Sequence, residues 1–428
     1  MQSPMGCDAM RHFRVLMPPP RSCFIMQSLL ILTSTYPRWK GDTEPAFVHF
    51  LCKELACKYR IIVLAPHYPG SARKETVEGV LVYRFRYFFP FAESLAYDGG
   101  IITNLKGNIL KWLLVPFFLV SQLFHMILLT RKYKVSLIHA HWVIPQGLLA
   151  VICRQCRLVS KHIRILCTSH GGDLFSLQGG LLETLKRYTF RHCDHATVVS
   201  NAMRDRLVSM GCSTGNITVQ SMGVDLTTQF VPDKNAVKSR DIVYVGRLVE
   251  KKGVSTLIGS INLLKKSYPE LTVALIGDGP ERPDLAQQCR QLGVNEQVEF
   301  LGSMPNDRVP QFYQSAKIAV VPSIVAADGD QEGLGLVAVE AMGCGCATIV
   351  SDLPALRDVV DDGETGLAFK AGNHTDLAEK ISTLMSKPGL STQLGRAGRQ
   401  SVIDKFDWHK VGTRYLEIID RCLHSPDV

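Results

Sequence analysis

The sequence predicts a two-domain α/β protein, each domain a doubly wound and mostly parallel sheet. Three observations carry that expectation. Short strand-like apolar runs alternate with helix-length stretches, the alternation restarts once near residue 240, and glycines with charged residues occupy the strand-to-helix turns. The 428 residues suffice for two or three ordinary cores, and 46% hydrophobic against 20% charged residues describes a globular chain.

In chain order, the first half offers strands at Leu29–Ser34, Ile61–Ala65, Val80–Phe85, Leu137–Ala140, Ile163–Ser169 and Ala196–Ser200. Helical stretches at Phe47–Tyr59, Gln146–Cys156 and Leu181–His192 separate some of them. The pattern resumes with strands Ile242–Gly246, Val273–Gly277, Val298–Leu301, Ile318–Pro322 and Ala347–Val350, and helices Val254–Tyr268, Arg282–Leu292 and Gly335–Gly343. Domains are therefore expected at 26–222 and 223–405, joined near Ser221–Asp241. Residues 406–428 are expected to form a terminal helix whose Trp408, Val411, Tyr415 and Ile418 share one face, suited to bridging back to the N-terminal domain. Residues 1–25, with Pro18-Pro19-Pro20 and only a short apolar run, are expected to be a disordered or non-native extension before a start at Met26; no signal-peptide core is present.

The net charge of +9 suits anionic partners such as nucleotide phosphates or a lipid surface, and no nucleic-acid-binding motif accompanies it. Thirteen cysteines without framework spacing indicate reduced thiols. Cys153 and Cys156 lie in an apolar helical stretch and read as buried thiols; Cys344 and Cys346 flank Gly345 as small packing residues. His139 and His141 alternate at a strand end with no third ligand at useful spacing, so loop packing or acceptor contact is expected and no metal. Trp112–Leu129 is the most apolar stretch, flanked by Lys106, Lys111, Arg131, Lys132 and Lys134. A core helix with one face on an anionic membrane fits it best, ahead of a plain core helix and of a true span.

Glu332 and Glu340 stand eight apart across a glycine-softened loop that enters an apolar helix. Carboxylates among Val337, Ala338, Val339, Ala341 and Met342 need hydrogen-bonding partners, which a ribose diol would supply. Gly246 to Gly253 holds Arg247 and Lys252 between a strand and a helix, where a forked cation, a point charge and a helix N-terminus can meet phosphate oxygens. Gly277-Asp278-Gly279-Pro280-Glu281 is a second such turn, open to close backbone approach or simply tight. Gly41-Asp42-Thr43-Glu44 and Ser169-His170-Gly171-Gly172-Asp173 occupy the corresponding places in the first half.

Together the carboxylate pair, Arg247 with Lys252, the Gly-Asp-Gly-Pro-Glu turn and the His170 loop resemble the GT-B glycosyltransferases of family 4, over nearly all of Met26 to about Asp420. Thr35-Tyr36-Pro37-Arg38-Trp39 and His139-Ala140-His141-Trp142 resemble a bacterial subgroup that builds exopolysaccharide, capsule or O-antigen. The resemblance implies two Rossmann-like domains facing a cleft, and a retaining, metal-independent hexosyl transfer that needs no cofactor. The donor would be a UDP- or GDP-sugar and the acceptor a lipid-linked oligosaccharide. Arg247 and Lys252 would stabilise the diphosphate, Glu332 would hold the donor sugar, Glu340 the ribose, and His170 would face the reacting sugar. Further donor contacts would come from Gly41, Gly246, Gly277, Gly279, Glu281, Gly333, Leu334 and Gly335. Asp42, where the family often has glycine, would repel a diphosphate unless turned away. The enzyme would work in the cytoplasm, peripheral on the inner face of the cell membrane. A nucleotide-sugar 2-epimerase or a non-catalytic subunit could use the same scaffold; a dinucleotide oxidoreductase lacks its GxGxxG between Thr33 and Glu44.

Overall fold

The computed structural model describes residues 26–42, 44–176 and 179–424; the expectation for residues 1–25 lies outside them. The first sheet is built from β1 (Ser28–Leu32), β2 (Arg60–Pro66), β3 (Lys74–Val77), β4 (Val80–Phe85), β5 (Val135–His141), β6 (Arg164–Ser169), β7 (His195–Val198) and β8 (Ile217–Val219). Its order is β3-β4-β2-β1-β5-β6-β7-β8, parallel except for the β3 edge hairpin. The second sheet holds β9 (Arg240–Val245), β10 (Val273–Ile276), β11 (Val298–Gly302), β12 (Ala316–Val321), β13 (Ala347–Ser351) and β14 (Leu367–Phe369) in the parallel order β11-β10-β9-β12-β13-β14.

Both sheets are covered on two faces, which is why their central strands read as unbroken apolar runs. In β1, Leu30 and Leu32 point into one layer with Phe118 and Met126. Leu29 and Ile31 point into the other, with Val48 and Leu51 of helix Phe47–Leu55. In β9, Val243 faces helix Leu336–Gly343, whereas Ile242 and Tyr244 face helices Val254–Leu264 and His374–Ser386.

The chain crosses between domains twice, and the crossings are hydrogen-bonded to each other: the Val224 N–H donates to the Phe406 carbonyl at 2.9 Å. Helix Trp408–His424 then joins the N-terminal domain's core. Trp408, Val411, Tyr415 and Ile418 do share its buried face, against Leu29, Ile31 and Val48.

Several boundaries differ from expectation. The helices expected to reach Tyr59 and Tyr268 end at Leu55 and Leu264, and the one expected from Gln146 begins at Leu148 after a wide turn. Cys153 is buried but Cys156, at the end of helix Leu148–Gln155, is exposed; the eleven described cysteines are all free thiols. Trp112–Leu129 lies within a short 3₁₀ turn and helix Leu114–Tyr133, which packs one face on the first sheet.

Candidate active site

In each sheet the strand order reverses beside the first strand of the domain, between β1 and β5 and between β9 and β12. Loops leaving the carboxyl ends of these strands diverge and open a crevice. The donor-side crevice is framed by the loops after β9 and β12. Tyr244 is buried and its hydroxyl donates to the Arg247 carbonyl at 2.9 Å, which fixes the turn while the Arg247 side chain stays exposed. The guanidinium reaches across the cleft to the Gly99 carbonyl at 3.1 Å.

Lys252 Nζ meets Glu332 Oε2 at 2.5 Å, and the Ser323 hydroxyl donates to the same oxygen at 3.4 Å. Burial acts to raise the Glu332 pKa, but the charge and hydrogen bond of Lys252 outweigh it and hold the carboxyl below its usual range. Beside them Lys251 pairs with Asp330 at 3.1 Å. Glu340 contrasts with Glu332. It lies in helix Leu336–Gly343, whose N-terminus at Gly335 carries no side-chain cap, and it has no hydrogen-bond partner among the described residues. Burial pushes its carboxyl up to about 8, against the weaker pull of Lys252. A half-buried carboxyl without a partner fits a hydroxyl-rich ligand.

The glycines of this half keep the loops against one another. A Cβ on Gly277 would lie 1.8 Å from the Gly246 carbonyl oxygen, and one on Gly279 would lie 2.2 Å from that of Leu248. Gly253 would meet the Pro322 carbonyl at 2.0 Å, and Gly335 would meet Leu356 at 2.3 Å. The space at Gly277 and Gly279 is thus taken by protein backbone, and these two residues brace the Arg247 turn from behind. Glu281 follows them; burial, with Glu250 and Asp284 nearby, raises its pKa.

On the acceptor side, Gly41 turns at φ +77° with open space where its Cβ would be. Asp42 is turned away from the cleft: Arg38 grips it through Nε at 2.9 Å and Nη2 at 2.7 Å, and also reaches Asp98 at 3.2 Å. The guanidinium lies over the Trp39 and Tyr68 rings. His170, after β6, stacks on His141, its Nε2 lying 3.0 Å from His141 Nδ1, with Phe47 and Trp142 against the ring. Burial lowers its pKa to about 3, so the ring is neutral at neutral pH. His139 and His141 themselves are fully buried, His139 bonded to Thr168 at 2.7 Å, so of the two expected roles they take packing and have no access to an acceptor.

The two sides meet where glycine faces glycine. A Cβ on Gly171 would come within 2.8 Å of Gly333 Cα, and one on Gly333 within 2.6 Å of the His170 carbonyl. His170, Glu332, Gly333, the buried Leu334, Gly335 and Lys252 therefore form one cluster, with Arg247 held at the rim by Gly99 and Glu340 deeper along its helix. Among the described residues, Gly41 and Glu281 make no hydrogen bond or ion pair to that cluster; the Glu281 N–H bonds instead to the Leu248 carbonyl at 3.1 Å.

Sequence reasoning assigned no role to Asp173, which ties the His170 loop. Its buried carboxylate accepts from the Val143 N–H at 2.7 Å, the Ser169 hydroxyl at 2.8 Å and the His170 N–H at 3.2 Å. Buried Lys186 supports the same loop by donating to the Leu174 carbonyl at 2.8 Å. Its position next to the His-Gly-Gly run was the only signal for Asp173; Lys186 gave none, being one cation in an ordinary amphipathic helix.

Two family descriptions divide the chain: Glycosyltransferase Family 4 matches residues 46–228 and Glycosyl transferases group 1 matches residues 227–401. A GDP-mannose-dependent alpha-(1-6)-phosphatidylinositol monomannoside mannosyltransferase of Mycolicibacterium smegmatis is 28% identical over 402 residues, 91% of this chain and 98% of that protein. An amylovoran biosynthesis glycosyltransferase of Erwinia amylovora is 27% identical, covering 64% of this chain and 68% of that one. Among solved structures, Anabaena HepE in complex with UDP superposes with a TM-score of 0.70 at 16% identity, over 92% of this chain and 100% of that one. With both sheets, their order and the cleft in place, the chain belongs to the GT-B glycosyltransferases of family 4.

Proposed function

We propose that the chain moves a sugar from a nucleoside-diphosphate donor, UDP- or GDP-linked, to a lipid-linked oligosaccharide in bacterial surface-polysaccharide assembly, with retained anomeric configuration. The observation that carries this reading is the juxtaposition of Lys252 and Glu332 with His170 across the cleft, with Arg247 at its rim. The GDP-mannose-dependent mycobacterial relative, the amylovoran enzyme and the UDP-bound neighbour support the donor class and the pathway type.

In this mechanism the donor's diphosphate oxygens replace Gly99 as acceptors for Arg247 and share Lys252 with Glu332. Their charge grows as the bond from the anomeric carbon to the phosphate oxygen breaks, and fixed cations at that point stabilise it without a metal. Glu332 accepts hydrogen bonds from the donor sugar, and Glu340 from the ribose diol. The acceptor hydroxyl forms its bond to the anomeric carbon on the departing face and passes its proton to the leaving phosphate. Neutral His170 donates a hydrogen bond to the sugar.

Thermal unfolding with UDP, GDP, dTDP and ADP tests the site. A nucleotide at about 100 times its dissociation constant should add about 2.7 kcal/mol to the wild type, and the gain should vanish in Arg247→Ala. No stabilisation by any of the four would overturn the donor assignment.

A further inference from the structure

Helix Leu114–Tyr133 is apolar on both its buried and its outer face. Its buried face carries Phe118, Gln122, Met126, Leu129 and Thr130, and both polar atoms of the Gln122 amide are buried without a partner. Its outer face carries Phe117, Val120, Phe124 and Leu128, continuing from Leu113 just before it, spaced by three or four residues and all exposed. Such a stripe is one continuous line on the helix surface. The preceding turn extends it with Ile109, Leu110 and Trp112, and the loop after β4 adds Phe89 and Phe91, the latter 88% exposed. Phe88 joins these two parts, 5.2 Å from both Phe117 and Phe89. An apolar surface of this continuity marks an interaction site.

Charge identifies the occupant. Between Asp98 and Asp173 the chain has no acidic residue and nine basic ones, a number equal to the net charge of the whole protein. Arg131, Lys132 and Lys134 end the stripe, and a cavity of about 600 Å³ at its foot is lined by Arg131, Lys134, Arg157 and Lys161. Lys106 and Lys111 flank the other end, Lys106 paired with Asp328 of the second domain. A second copy of this chain, docked by two-fold symmetry, would set basic ends against basic ends.

We propose that this face lies on an anionic phospholipid bilayer, the stripe among the upper acyl chains and the basic foot among headgroup phosphates. Because helix and turn run antiparallel to β5, the exposed apolar residues Ile109, Leu110, Trp112 and Leu113 sit at the cleft end of the domain. Docking there would bring the cleft mouth to the lipid surface, which deepens the lipid-linked-acceptor reading and rests on it for its purpose alone.

Flotation of the full chain with phosphatidylcholine vesicles, with and without phosphatidylglycerol, tests the surface. The wild type should float with the anionic vesicles. Phe91→Ser/Val120→Ser/Phe124→Ser should lower partitioning about 100-fold, while nucleotide stabilisation, which reports the cleft and the fold separately, stays unchanged. Lys134→Gln/Lys161→Gln should weaken binding to anionic vesicles about tenfold and leave neutral vesicles unaffected. Wild type left unbound at low salt, or bound equally well by the apolar triple variant, would overturn the proposal. So would a concentration-dependent dimer that the triple substitution abolishes without any vesicle binding.

Discussion

Two sets of glycine turns, one in each domain, serve opposite ends. On the donor side, Gly246, Gly253, Gly277, Gly279 and Gly335 each sit where a Cβ would strike a neighbouring group within 2.7 Å, so the turns are locked together before any ligand arrives. On the acceptor side, Gly41, Gly70, Gly79 and Gly100 turn at positive φ into open space, and the loops are held instead by side chains such as Arg38 and Asp173. A recognition task shared by all nucleotide donors suits a preorganised frame. The acceptor side keeps loops whose shape depends on a few replaceable polar contacts.

The largest effect is expected at the one ion pair shared by both roles. Lys252→Ala removes the diphosphate's point charge and leaves Glu332 buried without its cation. Transfer should fall by about 1000-fold in steady-state assays, and unfolding in urea should show a loss of about 3 kcal/mol. Near-normal turnover would remove Lys252 from the reaction.

Gly277→Ala and Gly41→Ala put the glycine comparison itself at risk. The first must displace the Arg247 turn and should cost about 3 kcal/mol together with most nucleotide binding. The second meets no neighbour and pays only for its backbone angle, about 1 kcal/mol. Equal losses in the two, measured by calorimetry, would dissolve the distinction.

Asp173→Asn exchanges a triple acceptor for an amide that can satisfy fewer of its donors. It should cost about 2 kcal/mol and slow transfer, with nucleotide affinity untouched. A fall in UDP or GDP affinity instead would mean that the His170 loop also builds the donor side.

The smallest effect is a pH dependence. Glu340 has its pKa raised from 4.5 to about 8 in the folded chain. The folded state binds its proton more tightly than the unfolded state, so stability from this group is full below 4.5 and declines as pH rises through about 8. A ribose diol donates to the ionised carboxylate, so nucleotide affinity should rise over the same interval, by at most about tenfold per pH unit. Isothermal titration at several pH values should show that slope in wild type and a flat line in Glu340→Gln.

Much of the donor domain was legible because its chemistry is contiguous. Arg247 and Lys252 share one turn, Glu332 and Glu340 one loop and helix, and its first five strands were placed within two or three residues. Weakly patterned elements were missed in both domains. β3, a polar edge strand, and β8, three residues long, have too little apolar alternation to register, and β14 is as short. Helix Asn201–Ser209 has only two buried residues, and His374–Ser386 and Pro388–Phe406 lie where no strand followed to frame them. The apparent clash of Asp42 with a diphosphate dissolves only in three dimensions, because Arg38, four residues earlier, folds back over it. The terminal helix's buried face was readable from spacing, and its expected return to the N-terminal domain is what the packing against Leu29, Ile31 and Val48 shows.

The double crossing at Val224 and Phe406 has a mechanical consequence. A single covalent strap would let one half swivel freely on the other. Two straps laid side by side behave as a door hung on two pins, free to swing in one plane and stiff against twisting. Any opening that admits donor or releases product would then follow a repeatable arc, returning Gly333 to the same place beside His170. Cutting the chain just before Trp408 would remove one pin and also bare the face of Leu29 and Ile31 that the last helix covers, so losing the tail should loosen both the swing and the half it is anchored in.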